Sequence, residues 1–284
     1  MQKIKHYFSL VKFSHTIFAM PFAMIGFFLA VHETGRLPLR LFMLVLLCMI
    51  FARSAAMGFN RWLDKKYDAL NPRTSQREIP RGIIRPRQAL VFVLINVALF
   101  ITTTWFINRL CFFLSPVAML VVLGYSYTKR FTALCHLILG LGLSLAPIGA
   151  YIAVTGHFGL IPVLFSLVVI CWTGGFDIIY ALQDDAFDQS QRLHSMPVLL
   201  GKKGALRFSS FLHTVATVLV VLAGVYGHFH WIYWLGALLF AGLLIYQHLL
   251  VSPDDLSRVN IAFMTANGIA SCVFALFVIG ALFV

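Results

Sequence analysis

Charge of either sign is scarce in this chain. Of 284 residues only ten are Asp or Glu, and Asp, Glu, Lys and Arg together make up 11%. A soluble domain carries about 25%. From Phe131 to Phe176 none of the four occurs, enough for two spans of about 20 residues each. That excludes an ordinary water-soluble globule. Cysteine is sparse as well. Cys48, Cys111, Cys135, Cys171 and Cys272 are scattered through apolar segments, with no metal spacing and no disulfide framework. Strict apolar–polar alternation is missing too, which argues against a membrane β-barrel. What is present is 60% hydrophobic residues and a mean hydropathy of +0.88. The expected class is all-α, a polytopic membrane helical bundle around a central chamber.

The apolar runs predict nine helices, at about 14–32, 38–60, 87–107, 110–127, 133–154, 160–182, 205–226, 231–250 and 260–283. The first run follows the basic start Met1-Gln-Lys-Ile-Lys-His. No small-residue cleavage site follows it, so it reads as a retained helix. The net charge is +12. In a soluble protein that would suggest nucleic acid; here it reads as topology. With the N-terminus in the cytoplasm, eighteen of the 22 Lys and Arg fall on inner segments and three outside, with Arg53 inside helix two. This is a strong positive-inside pattern. The long polar segments, Leu70–Arg85 and Gln189–Gly204, are then also cytoplasmic. No separate soluble domain is expected.

Against this background one stretch stands out. Asp177-Ile-Ile-Tyr180-Ala-Leu-Gln-Asp184-Asp185-Ala-Phe-Asp188 holds four of the ten acidic residues. On a continuous helix Asp177, Asp184 and Asp188 share a face. A second row, Asn60-Arg-Trp-Leu-Asp64-Lys-Lys-Tyr-Asp68, has the same four-residue step. Asp64 to Asp184 and Asp68 to Asp188 are both offset by 120 residues. The offset suggests a single domain over 1–284 made of two related halves, about 1–130 and 131–250, plus a last helix. Both rows fall at cytoplasmic helix ends, after helices two and six.

A row of like charges at a membrane rim must be solvated, paired or bound to cations. One D-x-x-x-D beyond a membrane helix is most often a solvated face. Two at one level and one offset make that reading weak. Facing carboxylates near basic groups suit Mg²⁺ held between protein and polyphosphate, since Mg²⁺ takes one or two carboxylates and is completed by phosphates and water. Asn60 adds an amide oxygen, and the basic loop can neutralise phosphate charge. A lipid with a diphosphate head fits, its tail among the helices. Asp185, Asp254 and Asp255 read as solvated or helix-start residues, and His136 and His213 as packed or pore-lining. Two other classes stay open: a secondary transporter, and a lipid-head phosphotransferase, whose usual Gly-linked D-x-x-D-G pattern is missing.

Asn60-x₃-Asp64-x₃-Asp68 with Asp177-x₂-Tyr180-Ala181-x₂-Asp184-x₃-Asp188 resembles the paired signatures of the UbiA superfamily of intramembrane prenyltransferases. Tyr125-Ser-Tyr-Thr-Lys129-Arg130-Phe-Thr132, His15-Thr-Ile-Phe-Ala-Met-Pro21-Phe and His194-Ser-Met-Pro197 resemble its 4-hydroxybenzoate polyprenyltransferase branch. The resemblance implies an integral protein of a bacterial inner membrane that uses Mg²⁺, a polyprenyl diphosphate and an aromatic acid, in quinone biosynthesis. It implies one ion on Asn60, Asp64 and Asp68 and another on Asp184 and Asp188. Asp177 would line that site, Lys129 and Arg130 would face the diphosphate, and Tyr180 and Tyr125 would line the chamber. Ser126 stands where branch members often have Pro, which keeps a naphthoate acceptor for menaquinone as a competitor. Arg53 lies two helical turns below Asn60 on nearly the same face. A charge at that depth needs a partner: an internal acid, a backbone carbonyl, or the carboxylate of the aromatic acceptor.

Overall fold

The structure, a computed structural model, describes residues 2–11 and 18–284. The expectations on Lys12, His15 and residues 14–17 of the first predicted helix lie outside them. Among the described residues the regular structure is all helical, with no strand. The helices are α1 (Gln2–Val11), α2 (Met20–Thr34), α3 (Leu39–Leu63), α4 (Lys65–Leu70), α5 (Pro86–Trp105), α6 (Arg109–Thr128), α7 (Cys135–Thr155), α8 (Leu160–Ala181), α9 (Asp185–Ser190), α10 (Met196–Tyr226), α11 (Trp231–Leu250) and α12 (Asn267–Leu282). A 3₁₀ turn, Leu182–Asp184, joins α8 to α9, and a π-helical turn, Ile261–Ala266, leads into α12. Eight helical segments are long and apolar enough to cross a membrane, with α8, its 3₁₀ turn and α9 counted as one; α2 is apolar and shorter. These correspond to the nine predicted spans.

Several boundaries differ from the sequence reading, each for a local reason. Neither acidic row lies on an unbroken helix. Asp64 leaves helical geometry (φ −89°, ψ 8°) and separates α3 from α4. Asp184 (φ −105°, ψ 3°) does the same between the 3₁₀ turn and α9. The simple four-residue face therefore becomes a span, a break and a six-residue helix, twice over. The predicted polar segment 189–204 is largely helical, because α10 starts at Met196 with Pro197 at its entry. Gly201 (φ 67°) interrupts that helix in the left-handed region, where an L side chain would be strained. The amphipathic α1 adds a helix that the hydropathy reading did not contain.

The core forms where α8 is sandwiched between α7 and α10, with α2 on α7 and α11 on α12. Trp172, Phe22, Phe165, Phe240 and Phe274 are fully buried there. Glycine permits the closest approaches. A Cβ on Gly26 of α2 would sit 1.9 Å from the Pro147 carbonyl oxygen of α7. One on Gly140 of α7 would sit 2.5 Å from the Ile170 carbonyl oxygen of α8. Membrane helices associate through such small-residue contacts. They draw α2, α7 and α8 together and leave a cavity at the α3 and α8 ends.

Candidate active site

That cavity has a volume of about 290 Å³. All eleven residues singled out in the sequence line it: Arg53, Asn60, Asp64, Asp68, Tyr125, Lys129, Arg130, Asp177, Tyr180, Asp184 and Asp188. The breaks at Asp64 and Asp184 explain the convergence. Each turns the chain at the end of a span, so that the short helix beyond carries the second carboxylate to the same rim. Asp68 and Asp188 are the buried members, at 5% and 1% exposure.

Each carboxylate of the two rows has a basic partner. Arg130 Nη2 is 2.9 Å from Asp64 Oδ1, and Lys129 Nζ is 2.8 Å from Asp188 Oδ1. Arg77 Nη1 is 2.6 Å from Asp68 Oδ1. Arg73 grips Asp184 with both arms of its guanidinium, donates to Tyr180 Oη at 2.6 Å and stacks over the Tyr180 ring. Asn71 Nδ2 also donates to Asp184 Oδ1, at 3.1 Å. Asn60 Nδ2 donates to Asp64 Oδ2 at 3.1 Å, which leaves its amide oxygen free of that contact.

Burial and pairing set the charges. Burial pushes the Asp64 carboxyl above its ordinary value, against the opposing pull of Arg130. Burial would lower the Lys129 ammonium, but facing Asp188 and Asp184 outweigh it and hold it above its usual range. All four acids offer hard oxygen donors, the set that suits Mg²⁺. Asp68 Oδ2 is buried with no hydrogen-bond partner among the described residues. Such an oxygen is costly unless something binds it, so Asp68 suits a divalent cation. Among the described residues, however, no three His, Cys, Asp or Glu side chains gather closely enough to hold one between them, and the carboxylates close on their basic partners instead.

Deeper in, the wall changes character. Phe18, Phe176, Tyr180 and Phe263 make an aromatic side. The Phe263 and Tyr180 rings stack with centroids 4.1 Å apart. Arg53 sits on this inner part. Its Nε is buried without a hydrogen-bond partner, and no ion pair among the described residues involves it. Neither internal partner weighed for Arg53 is therefore seen at its Nε.

The sequence reading missed three features. His136, expected to be packed or pore-lining, is buried and lines the cavity; what was not foreseen is that its Nδ1 is 2.7 Å from Asp177 Oδ2. The Met196 N–H donates to His136 Nε2 at 3.4 Å, so Nδ1 carries the hydrogen toward Asp177. Arg73 and Asn71 were only part of a basic loop, and their partner lies more than a hundred residues away. Arg61 is buried at 3% exposure on the same wall. Its place beside Asn60 in the first row was the only available signal.

Comparison with known proteins bears on the family and the fold. The model of the UbiA prenyltransferase family matches residues 19–269. The chain is 30% identical over 223 residues to a 4-hydroxybenzoate octaprenyltransferase of Tolumonas auensis, covering 78% of each. It is 32% identical over 247 residues to the one from Aeromonas salmonicida, covering 84% of this chain and 83% of that one. Among solved structures, the apo UbiA homolog from Aeropyrum pernix K1 superposes with a TM-score of 0.80 at 29% identity, covering 95% and 96% of the two chains. A homolog from Archaeoglobus fulgidus bound to GPP and Mg²⁺ shares the fold, with a TM-score of 0.74 at 19% identity and 98% and 100% coverage.

Proposed function

The chain belongs to the UbiA prenyltransferase family, and from that premise we propose that it transfers a polyprenyl group from a polyprenyl diphosphate to a 4-hydroxybenzoate-like aromatic acid, releasing pyrophosphate. The carrying observation is that two acidic rows, four paired cations and the unpaired Arg53 converge on one cavity with an aromatic floor. Family membership sets the transporter reading aside. The relatives' names favour 4-hydroxybenzoate over naphthoate, and the A. fulgidus homolog is described with GPP and Mg²⁺.

In this reading Asn60, Asp64 and Asp68 would hold one Mg²⁺, and Asp184 and Asp188 the other, and the ions would supply charge stabilisation to the departing pyrophosphate. The chain does the rest. Lys129, Arg130, Arg73 and Arg77 bind the diphosphate oxygens and favour the state in which the allylic C–O bond has broken, with its electron pair on the leaving group. Tyr180, Phe18, Phe176 and Phe263 shield the delocalised cation from water and offer it their π faces. Arg53 grips the acceptor carboxylate as a planar fork. That holds the ring carbon beside the hydroxyl over the allylic carbon. Asp177, oriented by His136 Nδ1–H, takes the proton lost when the ring regains aromaticity. The active rim faces the cytoplasm.

The test is pyrophosphate release by purified protein given a polyprenyl diphosphate and a panel of acceptors. We expect release with 4-hydroxybenzoate that depends on Mg²⁺, with the prenylated acid as coproduct. Preference for a dihydroxynaphthoate would overturn the acceptor, and silence with every aromatic acid would overturn the function.

A further inference from the structure

The proposed reaction needs a dry wall around the allylic carbon, and one side of that wall is Phe263. This ring lies on an unusual element, the π-helical turn Ile261–Ala266. A π turn holds one extra residue, so it sets the helical phase of everything before it against everything after it. Relaxing it to α-geometry would rotate Phe263 relative to α12 by about 100°, one residue of a 3.6-residue turn. The stack on Tyr180 would then be lost.

Something must hold the turn in this costly register, and Asn267 is placed to do so. It is fully buried, and all four of its side-chain bonds are made. Nδ2 donates to Ala262 O and to Phe263 O, both at 3.0 Å. The Asn267 backbone N–H goes to Met264 O. The side chain thus adds its own bonds to two carbonyls of the turn. Its Oδ1 accepts from Trp172 Nε1 and from Gln247 Nε2, both at 2.8 Å. Trp172 is on α8, five residues before Asp177, and Gln247 is on α11. One amide therefore ties the π turn to two spans. In an apolar medium four satisfied bonds fix a geometry firmly, because no water competes for them.

We propose that Asn267 is a positioning residue that keeps Phe263 stacked on Tyr180 and so keeps water from the allylic carbon during transfer. The idea rests on the proposed prenyl transfer. When the wall loosens, a water oxygen forms the new C–O bond in place of the arene, and a proton is released to solvent. The products are then prenyl alcohol and pyrophosphate.

The experiment measures prenyl alcohol against prenylated acid per pyrophosphate released, in the full-length protein with Mg²⁺. This ratio does not depend on the folded fraction, so simple loss of stability leaves it unmoved. Asn267→Leu keeps the branching of the side chain and removes all four bonds. Trp172→Phe removes one donor and serves as the milder variant if Asn267→Leu cannot be purified. Phe263→Leu opens the wall directly. We expect each to raise the alcohol share several-fold, and Asn267→Leu to add little on top of Phe263→Leu. If Phe263→Leu uncouples while Asn267→Leu and Trp172→Phe keep the parent ratio, the amide does not position the ring and the inference falls. An unchanged ratio in all three overturns it as well. A parent that releases no pyrophosphate with any acceptor overturns the proposed function instead.

Discussion

At the scale of single residues the site is a set of exchanges between acid and base. Asp64 and Asp184 come from different halves of the chain, yet each holds a guanidinium. In the proposed site, removing either carboxylate takes away a Mg²⁺ ligand; in the structure as it stands it frees a positive charge. We expect Asp64→Ala and Asp184→Ala each to lower turnover by roughly 10²-fold or more, with the protein still monodisperse in detergent. A steady-state assay at saturating Mg²⁺ checks this, with Asp254→Ala as a silent control. Arg53 makes a different prediction. Arg53→Lys keeps the charge and loses the fork. It should raise KM for the aromatic acid far more than KM for the prenyl diphosphate. The opposite split would move Arg53 to the diphosphate.

At the scale of elements, close contacts at glycine draw α2, α7 and α8 together. The approach of α2 to α7 at Gly26 leaves no room for a methyl group, whereas Gly149 has nothing within 4 Å of a built Cβ. Gly26→Ala should destabilise by about 1–3 kcal/mol, seen as a lower melting midpoint in detergent, and Gly149→Ala should not. The spans and the acidic rows were legible in the sequence, because a 20-residue apolar run and a repeated Asp spacing are local signals. The breaks at Asp64 and Asp184 were not. A four-residue step looks the same on one helix as on two short ones. The Arg73–Asp184 grip was invisible for another reason: it joins a loop to a helix end 111 residues on, and no local pattern records that. The partner of His136 was not legible either, because an isolated histidine in an apolar run gives no hint of Asp177, 41 residues away. The π turn was hidden inside an apolar stretch that reads as plain helix.

At the scale of the molecule one structural unit occurs twice. The span–break–short-helix unit of α3–α4 recurs as α8–α9, the short helices Lys65–Leu70 and Asp185–Ser190 being 120 residues apart. We read this as one domain of two related halves with α12 appended. Nine crossings then place the chain ends on opposite faces. The basic residues predict a cytoplasmic N-terminus and an external Val284. Reporter fusions at the two ends check this, and both ends on one face would contradict it.

The pairing of four carboxylates with four cations has a consequence for ionic strength. Asp64, Asp68, Asp184 and Asp188 are matched by Arg130, Arg77, Arg73 and Lys129, so the rim carries little net charge of its own. A diphosphate with roughly three negative charges and two divalent cations is also close to neutral. Two nearly neutral bodies exert little long-range pull through salt water, where the Debye length is about 10 Å at 0.1 M. Substrate capture should therefore owe little to steering. At saturating Mg²⁺, kcat/KM for the donor should change less than about threefold between low and near-molar salt, although the chain as a whole is strongly basic.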